Sequence, residues 1–163
     1  RKKMHPTIVS SPEKKIIGKR MTMSLADNKM ADLWKSFGVR RKEISNAVSN
    51  DLISLVVYSP GYFEKFKPTN SFERWAAAEV SDLGTIPLDM DSYIVPGGLY
   101  AVFNYTGLNT DSSIFQYIFG SWLPASEYEL DDRAHFEVLG ERYKNNDPTS
   151  EEEIWIPVRL KKA

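Results

Sequence analysis

Leu52-Ile53-Ser54-Leu55-Val56-Val57-Tyr58 and Phe72-Glu73-Arg74-Trp75-Ala76-Ala77-Ala78-Glu79-Val80 are the stretches from which the fold is read. Both are dense apolar runs of strand length. Ser59-Pro60-Gly61 and Lys67-Pro68-Thr69-Asn70 between them supply turn chemistry, so the pair predicts two successive strands. Upstream, Met30, Leu33, Trp34 and Phe37 fall at helical spacing behind Asp27 or Asn28 as a cap, and Gly38 marks the stop. Before that helix, Thr7 to Met23 is rich in β-branched residues and reads as extended, interrupted at Pro12 and Gly18.

Downstream the same order returns. Ser81 to Pro96 reads as a connection, and Gly97-Gly98 opens a strand over Leu99 to Tyr105. Asp111 or Ser112 caps a second helix with Ile114, Phe115, Ile118 and Trp122 on its apolar side and Pro124 at its end. His135 to Leu139 and Ile154 to Leu160 read as the last two strands. Strand, helix, strand, strand therefore occurs twice, the halves starting about 84 residues apart. The expected fold is α+β, one domain over residues 1–163 with halves at about 6–80 and 97–161. The halves are related by a pseudo-twofold axis, with two curved antiparallel sheets around a central cleft, the groove that ligands favour.

Composition narrows the function. Lys and Arg number 21 against 22 Asp and Glu, so no net charge draws the chain to nucleic acid or to an anionic membrane. Cys is absent, which excludes disulfides, zinc thiolates, iron–sulfur clusters and thiol nucleophiles and fits a cytoplasmic setting. No apolar run approaches the roughly 20 residues of a membrane span, and the basic start Arg1-Lys2-Lys3-Met4 has no apolar stretch behind it. Neither His5 nor His135 has metal-ligand spacing, and no phosphate-binding loop, nucleophile elbow or DNA-reading helix-turn-helix is present, so neither cofactor nor metal is expected.

The remaining candidates are acidic and aromatic. In the last strand, alternation puts Ile154, Ile156 and Val158 on the helix-packed face and Glu153, Trp155 and Pro157 on the other. A carboxylate beside an indole suits a flat cation. In the strand before it, Phe136 and Val138 share a face, leaving Glu137 with His135 and Leu139 on the other, where partial desolvation would favour a cationic ligand. Trp75, Tyr58 and Tyr105 are the further aromatic walls, and a solvated surface is the alternative reading for each glutamate.

Taken together, these segments resemble the GyrI-like family, the effector-binding domain of AraC-type and MerR-type regulators. The stretches that carry the resemblance are 15–18, 33–37, 72–80, 94–103, 119–124, 136–137 and 153–158, in the family's order. The resemblance implies a duplicated fold whose cleft binds hydrophobic, often cationic molecules. It also implies a cleft lined by a glutamate of the penultimate strand and by an aromatic residue two positions after a glutamate of the last. Glu137, Glu153 and Trp155 match, with Trp155 standing where a tyrosine is common. The run Glu151-Glu152-Glu153 leaves the register open, and Glu141 competes with Glu137.

Three functions compete. The first is a stand-alone receptor for a hydrophobic, cationic or electrophilic small molecule, held by Glu137, Glu153, Trp155, Trp75, Tyr58 and Tyr105, for drug sensing or sequestration. The second, implied by hydrolytic relatives, is a metal-free hydrolase that opens cyclopropane-type electrophiles with water activated by Glu137 or Glu153. The third is a protein-binding inhibitor of the gyrase-inhibitor kind, although no partner surface is visible in the sequence.

Overall fold

The computed structural model describes residues 4–162, so the basic start Arg1-Lys2-Lys3 lies outside the described residues. The first half runs β1 (Thr7–Ser11), β2 (Lys14–Ser24), α1 (Met30–Gly38), β3 (Leu52–Tyr58) and β4 (Ser71–Val80). The second runs β5 (Asp91–Val95), β6 (Gly98–Thr106), α2 (Ser113–Tyr117), a π-helical stretch (Ile118–Trp122), α3 (Leu123–Ala125), β7 (Tyr128–Leu130), β8 (His135–Leu139) and β9 (Glu151–Leu160).

Among the described residues the strands form one nine-stranded antiparallel sheet, ordered β1-β6-β9-β8-β3-β4-β2-β5, with β7 against the end of β9. The duplicated α+β order is as the sequence indicates. The two expected half-sheets are fused, because β3 pairs with β8 and joins the halves. Ser54–Glu137 is the central pair of that five-pair ladder, so the pseudo-twofold axis passes beside these two residues.

One face of the sheet carries both helices. On α1, Leu33 and Phe37 are fully buried in a cluster with Ile17, Val56, Phe72 and Ala76. Each such side chain stabilises the fold by about 1.5–3 kcal/mol. Asn28 Oδ1 accepts the Met30 N–H at 2.9 Å and starts the helix. Around α2 and the π-helical stretch, Ile114, Ile118 and Trp122 pack on Phe103, Ile154, Ile156 and Val158. The helical run ends at Ala125, one residue past Pro124, which lacks the N–H that would close a bond onto Gly120, and the turn preceding it is π-helical.

The other face is a core of its own. Ile16, Ile53, Leu55, Trp75, Tyr100, Val102 and Phe136 fill it, and Val9 of β1 and Tyr93 of β5 close on it from the two ends of the sheet. The ends are brought together by an exchange of strands. The first half's β1 pairs with β6, and the second half's β5 pairs with β2. The chain changes sheet partner at Pro12-Glu13 and again at Pro96-Gly97, where prolines break both long strands. A side chain at Gly97 would lie 2.8 Å from the Ser11 carbonyl oxygen, so only glycine permits the two bends to touch. β5 lies within the stretch that reads as a connection in the sequence, and β7 is likewise additional to the expected elements.

Candidate functional site

Between the two helical layers, the middle of the helix-bearing face is occupied by charged and aromatic side chains. Residues directly opposite each other across a ladder share a face. Ser54 lies opposite Glu137, Val56 opposite both His135 and Arg74, and Tyr58 opposite Phe72. Glu137 also lies opposite Ile154, which packs beneath α2, so the next residue of β9 on this face is Glu152.

The register sets Glu137 and Glu152 side by side on this face, and a hydrogen bond between their carboxyls requires one of them to hold a proton. Burial, followed by the bond to Glu137 and the charge of Glu137, pushes Glu152 up to about 9, while Arg74 acts in the opposite direction. Arg74 Nη1 stands 3.7 Å from Glu137 Oε2 and donates to Ser54 Oγ at 3.2 Å. Its guanidinium lies 5.7 Å from the centre of the Phe72 ring, and its Nε is buried without a hydrogen-bond partner.

Aromatic side chains enclose this pair. Burial pushes the Tyr58 hydroxyl up to about 12. Tyr105 lies opposite Glu152 and donates its hydroxyl to the Leu108 carbonyl at 2.8 Å. Tyr143, from the loop after β8, is raised by burial and by the charges of Glu152 and Glu137. His135 is lowered to about 3 by burial and by the charges of Arg74 and Arg133, so it is neutral at pH 7. Its ring lies 4.9 Å from Tyr58, 6.0 Å from Phe63 and 6.1 Å from Phe119. Phe63 comes from the β3–β4 loop and Phe119 from the π-helical stretch, and their rings meet at 5.8 Å beside His135.

The expectation that Glu137 and Glu153 converge is corrected. Glu153 lies opposite Val138, one residue out of step with Glu137, and a step of one residue moves a side chain to the other face. Trp155 and Trp75 are on that far face too. Trp155 stacks on Phe136 at 5.1 Å, and Trp75 is only 1% exposed. Each indole donates to the glutamate two residues earlier, Trp155 to Glu153 at 3.0 Å and Trp75 to Glu73 at 2.9 Å. The Glu-X-Trp unit thus recurs at equivalent places in both halves as a core feature. Tyr58 and Tyr105 stay with Glu137, and Glu141 is exposed in the turn after β8.

Glu152, Arg74, Tyr143, Phe63 and Phe119 were not among the residues expected from the sequence. Glu152 was within reach of it, because alternation from Ile154, already placed under the helix, puts Glu152 on the same face. A separate cavity of about 520 Å³ lies in the β3–β4 loop, and one of about 750 Å³ lies beside α2, lined by Met4, His5, Tyr117 and Trp122 with Tyr105 at its wall. Neither contains the acid pair. Among the described residues no group of three or more His, Cys, Asp or Glu is placed to hold a metal ion, and no helix is long and apolar enough to cross a membrane.

The pseudo-symmetric sheet carries one helical layer in each half, with Glu137 and Glu152 between them. The GyrI-like small molecule binding domain matches residues 4–159, and the chain belongs to that family. It is similar to the transcriptional regulator BrlR of Pseudomonas aeruginosa, with 27% identity over 157 residues covering 95% of this chain and 56% of the regulator. The chain thus spans about half the length of the curated relative it matches. Its fold matches that of the SAV2435 protein bound to tetraphenylphosphonium, at TM-score 0.71 and 16% identity over 96% of this chain and 94% of the other. It also matches a hydrolase from Listeria innocua, at TM-score 0.61 and 10% identity over 95% and 92%.

Proposed function

We propose that the chain binds a hydrophobic cation or electrophile on the helix-bearing face, between α1 and α2, for drug sensing or sequestration. The observation that carries this reading is the acid pair Glu137 and Glu152, with Glu152 desolvated and with Tyr58 and Tyr143 beside the pair. Aromatic faces attract a cation, and the acid pair supplies its countercharge. The fold-level match to a protein bound to tetraphenylphosphonium, itself a hydrophobic cation, supports the same class of ligand. Titration with tetraphenylphosphonium tests the reading. Saturable binding is expected, weakened at least about tenfold in Glu137→Gln because a charge-assisted contact is lost. Equal affinity of wild type and variant rejects the assignment.

The same pair favours a second reading. One carboxyl holding a proton beside one carrying charge provides both a general acid and a general base. A hydrolase of this kind would take a proton from water at Glu137 as the water oxygen bonds to the cyclopropane carbon, while Glu152 protonates the conjugated carbonyl oxygen that receives the electron pair of the broken C–C bond. Consumption of a cyclopropane-bearing alkylator, with Glu137→Gln losing turnover and keeping affinity, separates catalysis from binding.

A further inference from the structure

The charges around the acid pair restrict how a cation can be accommodated. The groups that face Glu152 come from every neighbouring element: Glu137 on β8, Arg74 on β4, Tyr105 on β6 and Tyr143 on the loop after β8. Tyr58 on β3 faces Glu137 and Arg74. Of these, Arg74 is the one permanent cation, and it is already engaged with Glu137 at 3.7 Å and with Ser54 at 3.2 Å. It also rests over the Phe72 ring at 5.7 Å. A guanidinium held between a carboxylate and an aromatic ring occupies the kind of place that a ligand cation would take.

The charges of these groups therefore sum to zero. Arg74 carries one positive charge, and the Glu137–Glu152 pair, holding one proton between its two carboxyls, carries one negative charge. His135 is buried among Tyr58, Phe63 and Phe119 and adds no charge. A monocation entering this neutral, desolvated place would leave an uncompensated charge, which is costly away from water. Glu152 is the group positioned to remove that cost, because giving up its proton restores neutrality.

Resting on the ligand class proposed above, we infer that Arg74 acts as an internal counter-ion that satisfies Glu137, so that cation binding proceeds with release of the Glu152 proton to solvent. The site is thereby a cation–proton exchanger, and Arg74 is its specificity-determining residue. The balance is one proton out for one cation in, with no covalent change. Affinity consequently depends on pH. Below the pH at which Glu152 ionises by itself, every proton that must leave makes binding about tenfold tighter per pH unit.

The experiment is calorimetric titration of the full chain with tetraphenylphosphonium chloride, in buffers of differing ionisation enthalpy and at several pH values. Wild type is expected to release about one proton per cation and to bind about tenfold more tightly for each unit between about pH 6.5 and 8.5. Glu152→Gln is expected to bind weakly, release no proton and show no pH dependence. In Arg74→Met the acid pair keeps one shared proton and one negative charge. Its proton release is expected to fall below about half and its affinity at pH 6.5 to rise about tenfold. Arg74→Lys is expected to restore both values. Binding by wild type without proton release overturns the exchange and leaves the ligand class standing. Proton release that persists in Glu152→Gln overturns the source, and an unchanged proton count in Arg74→Met overturns the role of Arg74. Failure of wild type to bind the cation overturns the proposed ligand class and the exchange together.

Discussion

Phe63 and Phe119, one from each half of the molecule, meet with ring centres 5.8 Å apart and planes inclined at 33° directly over His135. Their contact joins the β3–β4 loop to the π-helical stretch beside Tyr58. Phe63 is 43% exposed and sits on a loop, so it has room to swing outward. An aromatic pair of this kind contributes about 0.5–1.5 kcal/mol. Phe63→Ala is expected to speed association with tetraphenylphosphonium several-fold in stopped-flow mixing while lowering folding stability by no more than about that amount. An unchanged association rate would show that this contact does not limit access.

Trp155 provides the contrast, because its indole lies in the core on the opposite face. Trp155→Phe removes the donor to Glu153 and part of the packing on Phe136 and Tyr100. A loss of about 1–3 kcal/mol is expected in urea unfolding. Tetraphenylphosphonium affinity is expected to stay within about twofold of wild type, since an energy change confined to the far face leaves the site's contacts intact. A tenfold loss would move the site to the other side of the sheet.

Stability should respond to pH through two groups with opposite signs. Glu152 is raised from its ordinary 4.5 to about 9, so the unfolded chain loses that proton first and stability falls as pH rises through this interval. His135 is lowered from 6.5 to about 3, so the unfolded chain gains a proton first and stability falls as pH drops from 6.5 toward 3. A broad maximum between these limbs is expected in urea melts taken across pH. Each limb has a slope of at most about 1.4 kcal/mol per pH unit, less for Glu152 because it is only partly buried. Glu152→Gln should flatten the alkaline limb alone and His135→Phe the acid limb alone.

Gly18 tests the sheet itself. A side chain there would lie 2.1 Å from the Ala76 carbonyl oxygen and 2.6 Å from the Ala77 Cα, both backbone atoms of β4. Gly18→Ala must push β2 and β4 apart in the middle of their ladder, and a loss of about 3 kcal/mol or more is expected in equilibrium unfolding. A loss of less than about 1 kcal/mol would mean that the two strands can slide past the added methyl group.

Much of this architecture is legible locally. β3 and β8 have the limits their patterns indicate, and α1 carries the apolar spacing of Leu33, Trp34 and Phe37. β5 was hidden because Asp91-Ser92-Tyr93-Ile94-Val95 is short and lies between Pro87 and Pro96. Its stability comes from pairing with β2, a partner more than 70 residues away. In the site, alternation separates Glu137 from Phe136 and Val138, as the strand does, but does not say which face carries the helices. The acidic partner of Glu137 was misplaced by one residue because the indole of Trp155 made Glu153 the natural choice in a run of three glutamates. Arg74 gave no signal because its place opposite Val56 is set by strand pairing and not by its neighbours in the chain.

The strand exchange at Pro12 and Pro96 also governs how the molecule comes apart. Each repeat lends its leading strand to the other, so neither can depart without unzipping a ladder that belongs to its twin. Two units that look separable in the amino-acid order are thus interlocked like clasped hands, and heat should melt them in one concerted transition.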